Sequence, residues 1–528
     1  MSVSSAPGGR RHTVDESALG VTSIFQKNND HAVVDHDMDA DEEVLVSLGY
    51  KQEFKRDFSI WSCFSVSFSI LGILPSIAST LSYNLAYSGQ AGSVWGWIVA
   101  SILIQFVALS MAELCSSMPT AGGLYYAAAV LAPDGWGPLA SWNFIGQLTG
   151  PVSVGYALAY MILTAAAIGN PEYVIQTWHI YLTLLLILFV SGLITMQATK
   201  IIGWINVVGT WVNLIALIIF VIWLPVGSVN TPKTNPNSVV WTGEGLVNGT
   251  EWPSGFAFIM GFLSVIWTMS GYDAPFHLSE ECSNANVAAP RAIVMTAQLG
   301  FYLGFPVILV IAYTVMNIPD VVAGNLGQPM GALCLQVLGP KAGLAMFCIN
   351  IVAQYAVELG CIIAGSRVIY AYSRDGALPG SRWWKQVNNY TKTPVNALWF
   401  DLAINALLGL LMFASPVAIG AVFSIGPWNL GRWSKPCGYI ACTWVVFIIP
   451  VLCFPATKGG DLNALNMNYT CVVYGGVMTC ALLWYAIDAR KWFKGPKINV
   501  EHLIHGQDTD DIEAIMVDGD SEPKKRME

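Results

Sequence analysis

Asp273 lies in the apolar run Trp267-Thr268-Met269-Ser270-Gly271-Tyr272-Asp273-Ala274-Pro275-Phe276-His277. An ionised Asp near the middle of a bilayer costs about 2.5–3.5 kcal/mol on insertion scales, so such a residue faces a cavity or a partner. Three roles fit Asp273: counter-charge for a substrate ammonium, proton carrier, or cap of the helix that follows. His277, one turn on, either relays protons or bonds a carbonyl at a helix end. Glu280 and Glu281 close the same stretch and suit gate salt bridges with Arg or Lys. Glu113, in Ser110-Met111-Ala112-Glu113-Leu114, reads as a scaffold or gate carboxylate. Glu358, deep in Gln354-Tyr355-Ala356-Val357-Glu358, is a second proton-site candidate, and Asp401 is a similar but less central one. Asn143 and Gln147, one turn apart, offer two amides either to a substrate or to a neighbouring helix.

Two runs carry the signal that positions these groups. One is Phe68-Ser69-Ile70-Leu71-Gly72-Ile73-Leu74-Pro75-Ser76, and the other is the run around Asp273. Each places a Gly and then a Pro three or four residues later. Proline removes a backbone donor, and glycine lets the freed backbone turn. In lipid, unwound backbone survives only where it lines a protein-enclosed or watery cavity. Matched interruptions five spans apart point to a transporter built from inverted five-helix repeats, with substrate held at the breaks. The candidate substrate residues are therefore Ser69, Gly72, Ser76, Gly271, Tyr272 and Asp273. The candidates for proton coupling or gating are Asp273, Glu113, Glu358, His277, Glu280 and Glu281. Ordinary proline kinks are the bland alternative.

These runs belong to a chain that is 54% hydrophobic and 11% charged, where soluble domains carry about 25% charged residues. Lipid is its solvent. A span needs about 20 mostly apolar residues. Such runs occur near 58–86, 94–117, 138–167, 177–196, 202–225, 255–279, 291–316, 342–371, 395–413, 435–454 and 468–488, with a shorter piece at 415–425. Lys51, Lys55, Arg56, Arg374, Arg382, Lys385, Lys392, Arg490, Lys491 and Lys494 fall in loops that the positive-inside rule places in the cytoplasm. Both termini are then cytoplasmic, which requires an even number of crossings. The acidic, aperiodic ends suggest disordered tails at 1–50 and 497–528 around a membrane domain at 51–496. The first 50 residues lack the apolar core of a cleavable signal peptide. Cysteines such as Cys63, Cys348, Cys361, Cys442, Cys453 and Cys480 fall mostly inside apolar runs and read as small buried hydrophobes. Neither metal-ligand spacing nor a basic stripe for nucleic acid is present. No cofactor and no enzymatic centre is expected.

The stretches GILPSIAST (72–80), MAELCSSMPTAGGLYY (111–126), GYDAPFHLSEE (271–281), SRVIYAYSRDGAL (366–378), PWNLGRWSKP (427–436) and KWFKGP (491–496) resemble fungal permeases of the amino acid–polyamine–organocation superfamily. The similarity is closest to the amino acid/choline branch, which includes GABA and choline permeases. The resemblance implies twelve spans, the first ten forming two inverted repeats, and proton-coupled import of a small amino acid or amine such as GABA. It implies residence in the plasma membrane or the vacuolar membrane. Many bacterial relatives hold a lysine in span five. The run 202–225 has none, so any proton carrier lies elsewhere.

The chain departs from the family pattern once. Relatives continue their tenth span well beyond the stretch like Ala421–Gly426 before a PWNLG motif, whereas here Gly426 runs directly into Pro427. Residues 415–425 rise about 16 Å as a helix, against a hydrocarbon core of about 30 Å. The expected architecture is thus an all-α membrane protein with broken helices 1 and 6 and nominally twelve spans, span ten being truncated. A skipped exon or faulty gene model is the economical reading of that loss, and a real truncated isoform is expected to transport poorly. A choline or polyamine permease, or a non-transporting nutrient sensor, remains open on the same scaffold.

Overall fold

The structure, a computed structural model, describes residues 40–132, 150–170, 172–228, 234–324, 326–378, 380–410, 431–457, 479 and 482–493. The truncated piece at 415–425, the amides Asn143 and Gln147, and most of the run 468–488 lie outside the described residues. The chain divides into two units, residues 52–497 and the two ends, 1–51 with 498–528. The described part of the smaller unit includes one short helix, α1 (Ala40–Ser47).

The larger unit is helical, and among the described residues its only β contact is an isolated parallel bridge between Phe58 and Cys282. The first span begins at α2 (Ile60–Leu71), whose N-cap Ser59 accepts a hydrogen bond from the Ser62 amide. It continues as α3 (Ile73–Ser117), which turns at Gly89 and so joins the first two spans. After α4 (Leu124–Leu131) come α5 (Gly150–Gly169), α6 (Thr177–Thr195) and α7 (Thr199–Ser228). The sixth span is fragmented into α8 (Ser254–Met260), α9 (Phe262–Thr268) and α10 (Ala274–His277). Then follow α11 (Ala285–Thr314), the long α12 (Pro329–Arg374), α13 (Val395–Gly409) and α14 (Gly431–Leu452).

Among the described residues, six helical stretches are long and apolar enough to cross a bilayer, taking 60–117 as one, and three shorter apolar helices accompany them. Large apolar side chains point outward from α6 and α7, including Leu182, Leu186, Phe189, Trp204, Trp211 and Ile222. In water so large an apolar surface is a liability; against lipid it is the solvated face.

At the centre, α2 packs between α7, α11 and α12, while α12 also contacts α5 and α13. Val152, Leu158, Leu184, Leu188, Ile362, Leu398 and Leu402 form an apolar core joining α5, α6, α12 and α13.

The cysteine reading needs correction. Cys63 and Cys282 are joined as a disulfide, because the Phe58–Cys282 bridge brings the start of α2 beside the end of the sixth span. Cys348 and Cys442 are exposed on the outside of the bundle, not buried.

Candidate functional site

Both predicted interruptions are present, and each divides the labour between its glycine and its proline. Gly72 adopts φ +40° and Gly271 φ +93°, conformations that glycine reaches without a Cβ clash. Pro75 then falls in the first turn of α3, and Pro275 in the first turn of α10. In a first turn the missing N–H has no partner to lose. The glycine makes the break, and the proline starts the next half-helix.

The two breaks touch. The Ser67 hydroxyl donates to the Gly271 carbonyl at 3.1 Å. A Cβ on Gly271 would meet Ile70 Cγ2 at 2.4 Å, and one on Gly360 of α12 would meet Ile70 Cγ1 at 2.6 Å. A Cβ on Gly72 would strike Val357 of α12. Ser69 donates to the Ala356 carbonyl at 3.3 Å, and Ser76 to the Leu71 carbonyl, freed by the break, at 2.8 Å. Both candidate hydroxyls thus satisfy backbone in this arrangement.

On the other side of the sixth-span break is a cavity of about 110 Å³, room for several waters or one small solute. Ser270, Gly271, Tyr272 and Asp273 line it, with Met111 and other apolar residues of α3 and with Trp444 and Ile448 of α14. The structure therefore groups Gly271, Tyr272 and Asp273 at one cavity, while Ser69, Gly72 and Ser76 pack against α12 and their own helix. Trp444 escaped sequence reasoning, because nothing local to 435–454 says which face meets the sixth span.

Asp273 stands at the N-cap position of α10, yet its side chain makes no capping hydrogen bond. The capping role is not realised, because its own backbone is already helical, with φ −79° and ψ −14°, where a capping residue is normally extended. Its carboxylate is 29% exposed and lies 3.8 Å from His277 Nε2. The buried His277 has its Nδ1 3.4 Å from the Ala121 carbonyl. A Cβ on Gly123 would reach His277 Cε1 at 2.6 Å, so the 118–123 loop is pressed against the imidazole.

One turn further, the carboxylates are fully engaged. Glu281 receives Arg367 Nε at 2.8 Å and Nη2 at 3.3 Å. Glu280 receives Arg374 Nη1 at 3.0 Å on both oxygens and the Ala121 amide at 2.8 Å. Tyr370 donates to Glu53 at 2.7 Å, and Arg56 donates to the Cys282 carbonyl at 2.8 Å. These bonds join the chain before α2, the 118–123 loop, the end of the sixth span and the end of α12 into one closed layer. Both Glu–Arg pairs are almost entirely buried. Arg367 lies within a predicted span, and sequence alone gave no sign that it was a partner. Glu113 is half-buried near the end of α3.

Two interrupted helices in contact, one of them lining a small cavity, together with buried Glu–Arg pairs, are the features of a membrane transporter. Residues 58–430 match the amino acid permease family, and the chain belongs to it. An uncharacterized amino-acid permease of Schizosaccharomyces pombe is 44% identical, with 90% of this chain and 94% of the relative covered. A candidate polyamine transporter of Candida albicans is 37% identical over 93% of this chain and 96% of its own length. An amino-acid permease of Arabidopsis thaliana is 31% identical over 88% and 97%. Among solved structures, a nucleobase-cation-symport-1 family transporter with bromovinylhydantoin bound aligns with a TM-score of 0.42 and 13% identity. That alignment covers 76% of this chain and 80% of the transporter.

Proposed function

We propose that this permease is a proton-coupled importer of a small amino acid or amine such as GABA, seated with its ammonium on Asp273. The observation that carries this reading is the placement of Asp273, a partly exposed carboxylate two residues past the break at Gly271, on the wall of a small cavity. An ammonium there gains the carboxylate charge and the faces of Tyr272 and Trp444, both on the lining. Ser69, Gly72 and Ser76 complete the site from the first span when the breaks separate. Glu280 and Glu281 act as the inner gate, with Glu113 beside it. The membrane domain is 51–496 between cytoplasmic tails, and the plasma membrane is its proposed location, the vacuolar membrane being the alternative.

A polyamine is the second reading, and the cavity lining supports it. Among the described residues, no Arg, Lys or His lines the cavity to meet a substrate carboxylate, which leaves backbone amides at the break for that end of an amino acid. The Candida albicans relative adds to it. Radiolabelled uptake of GABA, choline, putrescine and neutral amino acids in a permease-deficient host separates these readings. Asp273→Asn should raise the half-saturating concentration by tenfold or more if a charge-assisted bond worth about 1.5–3 kcal/mol is lost. Unchanged uptake and unchanged pH dependence would sink the role of Asp273.

A further inference from the structure

α12, whose Val357 abuts Gly72, carries Asn350, Gln354 and Glu358 at successive i+4 positions, each 1% exposed or less. Gln354 donates to the Val154 carbonyl at 3.3 Å, and the Asn350 amide lies 3.6 Å from Met161 Sδ. Among the described residues, neither Glu358 oxygen has a hydrogen-bond partner, and neither does the Gln354 Oε1 nor the Asn350 Oδ1. A Cβ on Gly155 of α5 would lie 3.1 Å from Glu358 Oε1, so the carboxyl sits directly on that helix. Asp401 of α13 is equally buried. Its Oδ1 accepts from Asn405 Nδ2 at 2.9 Å, and its Oδ2 has no hydrogen-bond partner among the described residues and presses on Gly365 of α12. Asn405 in turn accepts the Val152 amide at 2.9 Å.

Among the described residues, no cation pairs with either carboxylate: Arg367, on α12 itself, is bound to Glu281, and Tyr355 of the same helix is neutral. α5 supplies only the tyrosines Tyr156 and Tyr160, and α6 supplies Tyr181 and, at its outer start, His179. α13 has no other charged residue, α7 has only Lys200 at its end, and α2 has none. Cys361 of α12 lies within electrostatic reach of Glu358, Asp401 and Asp273. An ionised Glu358, fully buried with no cation and no hydrogen-bond donor among the described residues, is disfavoured against its neutral acid form, and Asp401 has a donor, Asn405, on one oxygen alone.

We propose that Glu358 and Asp401 form a proton-binding pair between α5, α12 and α13, separate from the cavity at Asp273, each carboxylate taking up one transported proton in this closed arrangement. The proposal rests on the transport reading above. Each carboxylate gains one proton to become a neutral acid, and releases it when α12 and α13 part from α5 and water reaches the oxygens. The link to the breaks is short. Val357 abuts Gly72, Ala356 accepts from Ser69, and Gly360 holds Ile70, so the α12 turns that carry Glu358 also grip the first-span interruption.

The test uses the full chain in proteoliposomes with labelled GABA or putrescine. Wild type should accumulate substrate under an inward proton gradient. Glu358→Gln should keep substrate counterflow at equal pH while losing gradient-driven accumulation, and Asp401→Asn should shift its pH dependence. In detergent, the infrared carbonyl band of protonated carboxyls at neutral pH should weaken in both variants. Gradient-driven accumulation by Glu358→Gln at the wild-type level overturns the proposal. So does drive by a sodium gradient alone, which would make the pair a cation site, and so does the absence of the protonated-carboxyl band from wild type. If wild type transports nothing under any gradient, the transport reading fails, and the infrared band still decides whether the pair holds protons.

Discussion

Replacing Arg367 by Met deletes the cation that holds Glu281 through two N–H donors at 2.8 and 3.3 Å. Both side chains are within 2% of full burial. Removing one partner of such a pair leaves an uncompensated buried charge and costs about 3–5 kcal/mol. At about 1.4 kcal/mol per tenfold, that is more than a hundredfold in population. On the gate reading proposed above, the pair exists only while the layer is closed, so the penalty falls on the closed state and the gate opens. The reporter is Ser279→Cys, a fully buried position in the same layer, labelled by an impermeant maleimide on inside-out vesicles. Arg367→Met should accelerate labelling by a hundredfold or more. Adding Glu281→Gln removes the stranded charge and should return most of the protection, since replacing a whole buried pair is often nearly neutral. Equal labelling of parent and Arg367→Met, or a double variant no better protected than the single one, refutes the latch.

Gly271→Ala forces a side chain onto φ +93° and into Ile70; strain of about 1–3 kcal/mol should lower the melting temperature in detergent. Asn405→Leu strands the Val152 amide and takes a donor from Asp401, at about 1–3 kcal/mol for each buried group left unmet. A thermal scan should therefore show a larger fall than for Asn396→Leu, which is exposed. Trp444→Ala lengthens the cavity on the α14 side. Competition assays should show longer diamines gaining on GABA, and an unchanged preference order would remove Trp444 from the site.

The interruptions were legible because their cause is local: a glycine that can turn and a proline without a donor, repeated in two apolar runs. That the acidic pair ending the sixth span has cation partners was legible, because two carboxylates at a membrane edge demand them. Which cations was not legible, since Arg367 and Glu281 are 86 positions apart and no periodicity links them. The Glu358–Asp401 neighbourhood shows the same limit. Each residue was visible in its own span, yet only the packing of α12 on α13 makes them one site. Capping was one of three roles open to Asp273 from sequence order, and it depends on the backbone angle of the capping residue, which residue type does not dictate. The cysteine pair was missed because its geometry follows from a single bridge between distant segments.

Ile70 is gripped on one face by Gly271 and on the other by Gly360, so three positions from three spans share one fixed volume. Such sites do not vary independently, because the effect of a change at one depends on the occupants of the others. Among descendants of this permease, a bulkier residue at 271 or 360 should be found with a trimmed one at 70. A library that randomises these codons singly will then register only losses, whereas paired randomisation will recover working hinges of altered stiffness. The junction is inherited as a unit, and laboratory evolution of substrate range must move it as one.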